Sequence, residues 1–254
     1  MNRPAFTGIR QGNMFDANRE TIVVRKLDYI GCDFSENDTV WKYYTLLDFL
    51  CMVLYKKLYF KRADYFSDPN EYPLTRQDAD FFGMNPTDYY SEINRIKSKS
   101  FINCWRISRY ESFGMWKAYS DINSGVAIRT TAGDLMNSIN SCVSKDSDVD
   151  IDIGKVYYID EEKDLTQRDM FRKNVLYIPF TKTMPYHYEN ELRLFIEEDS
   201  VLQDKVSISI DINPHLLIKE IVIAPMAKSY HFKTISEVFS KLDLNVDIKQ
   251  SIVR

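Results

Sequence analysis

The chain has 254 residues, which is enough for one large domain or two small ones with a substantial buried core. Hydrophobic residues make up 44% and charged residues 28%, and this ordinary balance excludes a chain that is disordered throughout. With 33 basic and 37 acidic residues the formal net charge is -4, so diffuse binding to a polyanion is not favoured, although a local basic face is compatible with it.

The cysteines, histidines and apolar runs exclude further classes of protein. Four widely spaced cysteines form no Cys-x-x-Cys pair, which argues against a zinc ribbon or a dense disulfide framework and fits reduced thiols. The three histidines are scattered, so no His-rich metal site is expected. The N-terminus lacks the apolar core of a signal peptide, and the most hydrophobic run, Leu46 to Tyr55, is too short to cross a bilayer. We therefore expect a cytoplasmic protein with no membrane association.

The predicted elements begin after a polar N-terminal stretch. Residues 1–37 are irregular apart from a short strand over 21–25, so we predict an N-terminal extension over 1–37 and a single domain over 38–254. Apolar residues between Leu46 and Lys57 have the spacing of a buried helix face. The neighbouring predicted elements are a strand over 41–44, a strand over 58–61, a turn over 68–71 and a partly helical stretch over 75–97.

Strands and helices then interleave without the regular alternation of a parallel α/β fold. Strands are predicted over 101–105, 125–129, 155–159, 206–210, 220–224 and 246–248, and helices over 115–119, 134–143 and 230–242. This order predicts an α+β fold with a mixed, largely antiparallel central sheet and flanking helices.

The segment Tyr188–Arg193, with the sequence Tyr-Glu-Asn-Glu-Leu-Arg, is the leading functional candidate. If residues 188–196 form one strand, alternation puts Leu192, Leu194 and Ile196 on the core face and Glu189, Glu191 and Arg193 on the other. Two carboxylates at i and i+2 then lie roughly 6–7 Å apart at their Cβ atoms. Their repulsion raises one pKa unless Arg193 offsets it, an arrangement suited to substrate binding by one carboxylate and proton transfer by the other.

Structural explanations of the same residues stay open at this point. On a helix, Glu189 and Arg193 would form an i,i+4 ion pair worth only about 0.2–0.5 kcal/mol. On an exposed sheet face, the three charges would simply keep the strand soluble. The chain has no P-loop, dinucleotide-binding or nucleophile-elbow motif that would favour another enzyme class.

Several short blocks, taken together, resemble the bacterial domain-of-unknown-function 2971 family, which also has members in phage-defence settings. The resemblance covers about residues 38–227, and the blocks are Lys42–Tyr44, Leu58–Phe60, Asp68–Glu71, Met115–Tyr119, Gly125–Ile128 and Tyr188–Arg193. Each block is short, and it is their order that is specific.

A more distant resemblance is to the ADP-ribosyltransferase superfamily. It rests on an early strand and helix, a Leu-Tyr-Phe strand and a late strand that opens with Glu. In that superfamily the first motif holds the adenosine ribose of NAD, an aromatic residue of the second stacks near nicotinamide, and the late-strand Glu is catalytic. Matching the motifs in order gives Lys42 and Tyr43 for the first, Tyr59 and Phe60 for the second, and Glu189 and Glu191 for the third. The first motif usually offers His or Arg and the second Ser-Thr-Ser, and both are absent here.

This resemblance implies an ADP-ribosyltransferase-like fold and an enzyme that cleaves the nicotinamide–ribose bond of its cosubstrate NAD. The acceptor would be water, a protein or a nucleic acid, and a toxin or phage-defence role would follow from NAD consumption. Glu191 would be the catalytic carboxylate, and Glu189 would orient or deprotonate the acceptor. Arg193 would keep the carboxylates ionised or contact a phosphate.

The remaining residues that the resemblance selects would form the cofactor site. Tyr43 and Tyr59 would contact NAD, and Trp116 and Tyr119 would form the pocket wall, although ordinary core packing explains the last two equally well.

Two alternatives stand beside this enzyme. One is a non-catalytic binding or regulatory module of a defence system, with Glu189, Glu191 and Arg193 as a polar interaction face. The other is a metal-dependent nuclease using Asp68, Glu71 and the Glu pair. The absence of a Lys between paired acids and of a basic stripe weighs against the nuclease.

Overall fold

The computed structural model describes most of the chain after residue 20. The described residues are 21–22, 24–29, 34–66, 68, 71–73, 76–147, 149–160, 175–198, 205–242, 244 and 246–253. Most of the predicted N-terminal extension, and Pro69 and Asn70 of the predicted turn, lie outside them.

The described residues form strands and helices that alternate irregularly. The strands are β1 (Thr21–Ile22), β2 (Val24–Tyr29), β3 (Thr39–Tyr44), β4 (Lys57–Arg62), β5 (Ser100–Ile107), β6 (Val126–Thr131), β7 (Val149–Lys155), β8 (Tyr157–Ile159), β9 (Thr181–Thr183), β10 (Glu191–Glu197), β11 (Ser207–Asp211), β12 (Glu220–Ile223) and β13 (Asp247–Gln250). The α-helices are α1 (Leu46–Tyr55), α2 (Arg76–Phe81), α3 (Pro86–Lys99), α4 (Phe113–Tyr119), α5 (Ala132–Asn140), α6 (Pro214–Leu217) and α7 (Ser229–Lys241), and 3-10 helices cover Ala63–Tyr65, Val175–Phe180 and Met184–Glu189.

Local sequence explains where the helices begin and end. The Thr45 hydroxyl accepts a hydrogen bond from the backbone N–H of Asp48 and caps α1, and Lys56 ends that helix in the left-handed conformation. Asn85 caps α3 in the same way, with Pro86 in its first turn, where a missing N–H costs nothing. Thr131 caps α5. These local hydrogen bonds therefore mark where the three helices begin.

Strand β5 divides the main sheet into two branches. One edge of β5 pairs with β10 along residues 100–106, and the other pairs with β4 at Phe101 and Ile102 and with β3 at Arg106 and Ile107. The β3 branch continues through β6, β12 and β13, and the β4 branch through β11 and β1, while β7 and β2 extend the sheet beyond β10. Within the described part of the chain, residues 103–105 of β5 pair with neither β3 nor β4. The two branches separate at these residues.

Side chains alternate between the two faces of the sheet, and both faces are buried near its centre. The main core draws on both branches and includes Tyr44 of β3, Phe60 of β4 and Trp105 of β5, together with buried residues of α1, α5 and α7. The opposite face carries two smaller clusters, one around Ile102 and Phe195 and the other around Tyr43 and Trp116. Side chains of β10 therefore have no solvent-exposed face near its middle.

The predicted fold class is confirmed, with corrections to individual elements. The sheet is mixed and largely antiparallel, with helices packed on it. Strands β1 and β2 both lie within the predicted extension and join this sheet through β11 and β7. The single predicted strand over 155–159 is instead the end of β7 followed by β8, a parallel partner of β9. Among the described residues, no helix is long and apolar enough to cross a membrane.

Gly125 precedes β6 at a position with no room for a side chain. A Cβ there would collide with the Ser120 hydroxyl and lie 2.6 Å from the Asp121 carbonyl oxygen, whereas a Cβ at Gly114 in α4 would meet Ser112 Oγ at 3.7 Å. Gly125→Ala should lower the free energy of unfolding by about 1–3 kcal/mol because the backbone must move. The matched Gly114→Ala should leave it unchanged or raise it by up to about 1 kcal/mol through helix propensity. Urea denaturation measures both, and equal effects would contradict the close approach at Gly125.

Candidate functional site

A left-handed residue separates the two glutamates of the candidate segment. The 3-10 helix Met184–Glu189 ends at Asn190, which has φ 42° and ψ 60° and is followed by β10 from Glu191. Asn tolerates this conformation better than most residues, and here its side-chain amide also donates to the carbonyl of Ile107 at 2.7 Å. The prediction that residues 188–196 form one strand is therefore wrong at Glu189, which reaches Glu191 through a turn.

The predicted core face of β10 is confirmed, but its opposite face is not exposed. Leu192, Leu194 and Ile196 all belong to the main core. Glu189 is 2% exposed, Glu191 4% and Arg193 0%. An exposed strand face and a surface i,i+4 ion pair are both excluded as explanations of these three charges, because the side chains are covered by protein.

Arg193 is the centre of the resulting charge network. Its Nε and Nη2 donate to Oε2 of Glu191 at 3.2 and 2.8 Å. Its Nη1 donates to Oε1 of Glu71 at 2.6 Å and also to the carbonyl oxygen of Pro179. A guanidinium with this many acceptors is matched in charge and in hydrogen bonding.

Lys182 of β9 joins the remaining carboxylate oxygens. Its Nζ lies 2.5 Å from Oε2 of Glu189, 2.9 Å from Oε1 of Glu191 and 3.8 Å from Oε2 of Glu71. Lys182 is itself buried and places its ammonium 4.7 Å from the centre of the Tyr186 ring. One ammonium thus connects all three glutamates.

Three carboxyl groups share two cations, so they cannot all be ionised without cost. Burial raises the pKa of Glu189 to about 7, and the hydrogen bond and charge of Glu191 act in the same direction. Burial also opposes ionisation of Glu191, but the charges of Arg193 and Lys182 outweigh it and hold its pKa well below the usual range. Burial raises the pKa of Glu71, which Arg193 offsets only in part. Glu189 is therefore the carboxyl of the pair that exchanges its proton near neutral pH.

Tyrosines surround this exchangeable carboxyl. The hydroxyl of Tyr119 in α4 donates to Oε1 of Glu189, and the hydroxyl of Tyr158 accepts from the backbone N–H of Glu191 at 3.0 Å. Tyr119 is 47% exposed and Tyr188 is 52% exposed, so these rings lie at the surface while the carboxyl lies beneath. Tyr119 therefore connects the buried carboxyl of Glu189 to the surface of the protein.

The residues predicted to bind the cofactor are placed in different surroundings. Trp116 is fully buried, its ring 5.0 Å from that of Tyr43, and this packing fixes α4 so that Tyr119, one turn later, reaches Glu189. Phe60 is a fully buried core residue, and Tyr59 is half-buried on the same strand. Of the predicted wall residues, Tyr119 contacts the charge network directly.

Lys42 occupies the separation between the two sheet branches. Its Nζ donates to the carbonyl of Cys104 at 2.8 Å and lies 5.7 and 5.8 Å from the ring centres of Tyr44 and Trp105. Burial lowers its pKa to about 8, although the charge of Glu191 acts in the opposite direction. The ammonium of Lys42 therefore interacts electrostatically with Glu191 of the network, from the main-core face of the sheet.

Lys182 was not predicted as part of the site, and Glu71 was grouped with Glu189 and Glu191 only in the nuclease alternative. Lys182 has no local signal, since its Thr-Lys-Thr context is that of any short strand. Glu71 was named only as a metal ligand in the nuclease alternative, but its carboxylate is bonded to Arg193. Within the described ranges, no group of three or more His, Cys, Asp or Glu residues is arranged to hold a metal ion.

Comparison with known proteins supports one of the two resemblances, over part of its range. Residues 115–194 match the family described as a protein of unknown function, DUF2971. The match covers less than half of the chain and includes Tyr119, Lys182 and the Glu189–Arg193 segment, but neither Lys42 nor Glu71. No curated protein and no solved structure matches the chain. The similarity to ADP-ribosyltransferases stays a hypothesis.

Removing the guanidinium of Arg193 should destabilise the folded protein strongly. Arg193→Met leaves the carboxylates of Glu71 and Glu191 buried with less compensation, and we expect a loss of about 3–5 kcal/mol in unfolding free energy. The matched variant Arg129→Met breaks a partly exposed pair with Glu220 and should cost less than about 1 kcal/mol. Urea denaturation compares the two, and a loss below about 1 kcal/mol for Arg193→Met would show that the network is not needed for stability.

The raised pKa of Glu189 predicts a pH-dependent contribution to stability. The folded state keeps this proton up to about pH 7, whereas the unfolded carboxyl releases it near 4.5, so wild-type stability falls as pH rises between these values. Glu189→Gln has no such proton and should gain about 2–3 kcal/mol relative to wild type between pH 5 and 8. The measurement is urea denaturation across this range, with Glu197→Gln at the exposed end of β10 as control. Parallel curves for wild type and Glu189→Gln would refute the assignment.

Proposed function

We propose that the chain is an enzyme that cleaves the nicotinamide–ribose bond of NAD, with Glu189 as the carboxyl that exchanges a proton during the reaction. The observation that carries the proposal is the position of this carboxyl, held between the Tyr119 hydroxyl and the Lys182 ammonium beneath surface tyrosines. The choice of NAD rests on the sequence resemblance described above.

The surroundings of Glu189 suit general acid–base catalysis. An effective acid or base has a pKa near the working pH, and burial raises the pKa of Glu189 to about 7. A pair of neighbouring carboxyls whose pKa values are driven apart commonly divides these roles. Glu191, with both oxygens bonded to cations, is the member that stays ionised. We therefore assign Glu191 to positioning Lys182 and Arg193, while its prediction as the catalytic carboxylate stays open to the same experiment.

The tyrosines at the surface are suited to an aromatic ligand. Tyr119 and Tyr188 expose about half of their side chains beside Glu189, and aromatic faces of this kind stack on planar heterocycles such as nicotinamide. When the glycosidic bond breaks, its electron pair leaves with the nicotinamide nitrogen and a cationic ribose remains. Ionised Glu189 would stabilise this cation and take the proton of the attacking acceptor, which is water or a hydroxyl of a protein or nucleic acid.

A toxin or phage-defence effector is the biological role that NAD consumption supports. The alternative of a non-catalytic binding module is weakened in its original form, because Glu189, Glu191 and Arg193 are buried and form no surface for a partner. A module of this kind would have to bind through exposed residues such as Tyr119 and Tyr188. The nuclease alternative is weakened by the ion pairs of Glu71 and Glu191, which direct these carboxylates to Arg193.

Nicotinamide release from labelled NAD tests the proposal, with purified protein alone and with cell lysate as a source of acceptors. Glu189→Gln should reduce release by about 10²–10⁴-fold because it removes the base. Glu197→Gln, on the same strand but exposed, should stay within about twofold of wild type. The wild-type rate should rise with pH and level off above about pH 7, as Glu189 ionises.

Three outcomes count against the proposal. Absence of release under every condition, together with no thermal shift on adding NAD, would exclude it. A full effect of Glu191→Gln with an active Glu189→Gln would restore Glu191 as the catalytic carboxylate. Magnesium-dependent cutting of DNA or RNA by the wild type would favour the nuclease instead.

A further inference from the structure

The separation between the two sheet branches contains polar groups inside the main core. Tyr44, Asn103 and Trp105 are 6%, 3% and 2% exposed. Among the described residues, the Tyr44 hydroxyl, the Asn103 Oδ1 and the Trp105 Nε1 find no hydrogen-bond partner. Buried polar atoms are rarely left in this state, and each lost hydrogen bond is destabilising. Three such atoms on the neighbouring strands β3 and β5 require an explanation.

These groups surround the ammonium of Lys42. The ring centres of Tyr44 and Trp105 lie within 6 Å of Nζ, at 5.7 and 5.8 Å, and Nζ donates to the carbonyl of Cys104, the residue between Asn103 and Trp105. Asn103 and Trp105 point to the same face of β5 because they are two residues apart on a strand. Lys42 is intermediate in exposure, whereas Tyr44, Asn103 and Trp105 are buried.

The branching of the sheet explains why side-chain polar groups lie at this place. A strand beside residues 103–105 of β5 would form backbone hydrogen bonds with them. Instead, β4 pairs with β5 before these residues and β3 pairs with it after them. The Asn103 amide fills part of the edge by donating to the Tyr59 carbonyl at 2.7 Å, and this bond fixes Oδ1 as the remaining acceptor. The cluster thus offers donors from Lys42, Tyr44 and Trp105 and an acceptor from Asn103.

We propose that this cluster, Lys42, Tyr44, Asn103 and Trp105, is a binding site for a ligand with an amide edge, a carbonyl next to an N–H. The carbonyl oxygen accepts from Lys42 and Trp105, and the N–H donates to Asn103 Oδ1. A carboxylate would satisfy the donors but would place a negative oxygen against Oδ1, so an amide is preferred to the corresponding acid. The site lies on the main-core face, whereas Glu189 lies under α4 on the other, and the inference does not rest on the proposed function.

Titration calorimetry with small amides and their acids tests the site directly. The probes are acetamide and benzamide, with acetate and benzoate as matched carboxylates. We expect both amides to bind at least about tenfold more tightly than their acids, since one hydrogen bond is replaced by a repulsive contact. Tyr44→Phe and Trp105→Phe should each weaken amide binding at least about fivefold. Tyr55→Phe, which removes the same hydroxyl from an exposed ring of α1, should change it less than twofold.

Thermal unfolding separates a ligand site from a trapped-water site. If the site is built for a ligand, Tyr44→Phe should raise the melting temperature of the ligand-free protein by removing an unsatisfied hydroxyl, and should reduce the stabilisation by amide. If ordered water fills the place, Tyr44→Phe should lower the melting temperature equally with and without amide. That result, or equal binding of amides and acids, or no binding, would overturn the proposal. Because these readouts use no NAD, they succeed or fail independently of nicotinamide release.

Discussion

A guanidinium that has no contact with water must be matched by acceptors from the protein, and in this chain that requirement organises the functional region. Arg193 takes one carboxylate from its own strand and another from Glu71, far away in sequence. Lys182 then bridges the oxygens that Arg193 does not use. Glu71 and Glu191 each contact both cations, whereas Glu189 pairs with Lys182 alone among the two. Its raised pKa is thus a consequence of how the other four groups are arranged.

The two faces of β5 and its neighbours carry different kinds of polar chemistry. On the face under α4, several charged side chains compensate one another. The property that matters there is which carboxyl keeps a proton. On the main-core face, the ammonium of Lys42 lies among aromatic rings. The neighbouring polar groups there have no hydrogen-bond partner among the described residues. The same branching that lets β3 and β4 share one edge of β5 creates the second environment.

The sequence was sufficient where local signals decide structure. The apolar spacing of α1 and the core face of Leu192, Leu194 and Ile196 both follow from residues close together in sequence. It failed at Asn190, because a left-handed residue in the middle of an alternating pattern shifts Glu189 off the strand while leaving the alternation readable. It also failed to show that both faces of β10 are covered, which depends on β5, β7 and the segments packed over them.

The composition of the network was hidden from the sequence for a related reason. Lys182 lies only seven residues before Glu189, yet its contact depends on the 3-10 helix that turns the chain back. Glu71 lies 122 residues from Arg193. Neither distance has a periodicity that a pattern of residues could reveal, whereas Tyr119 was found because its block is recognisable in sequence. Chemistry carried by distant partners is therefore the part that requires coordinates.

The wide spacing of these partners bears on how the chain acquires its structure during synthesis. Thr21 and Ile22 pair with Ser209 and Ile210, so this part of the sheet forms only after the long intervening segment has been made. Glu71 likewise meets its partner only after Arg193 has been made, and the edge of β5 that receives β10 stays unpaired until the same point. Such late, non-local pairing slows folding and exposes strand edges to other chains.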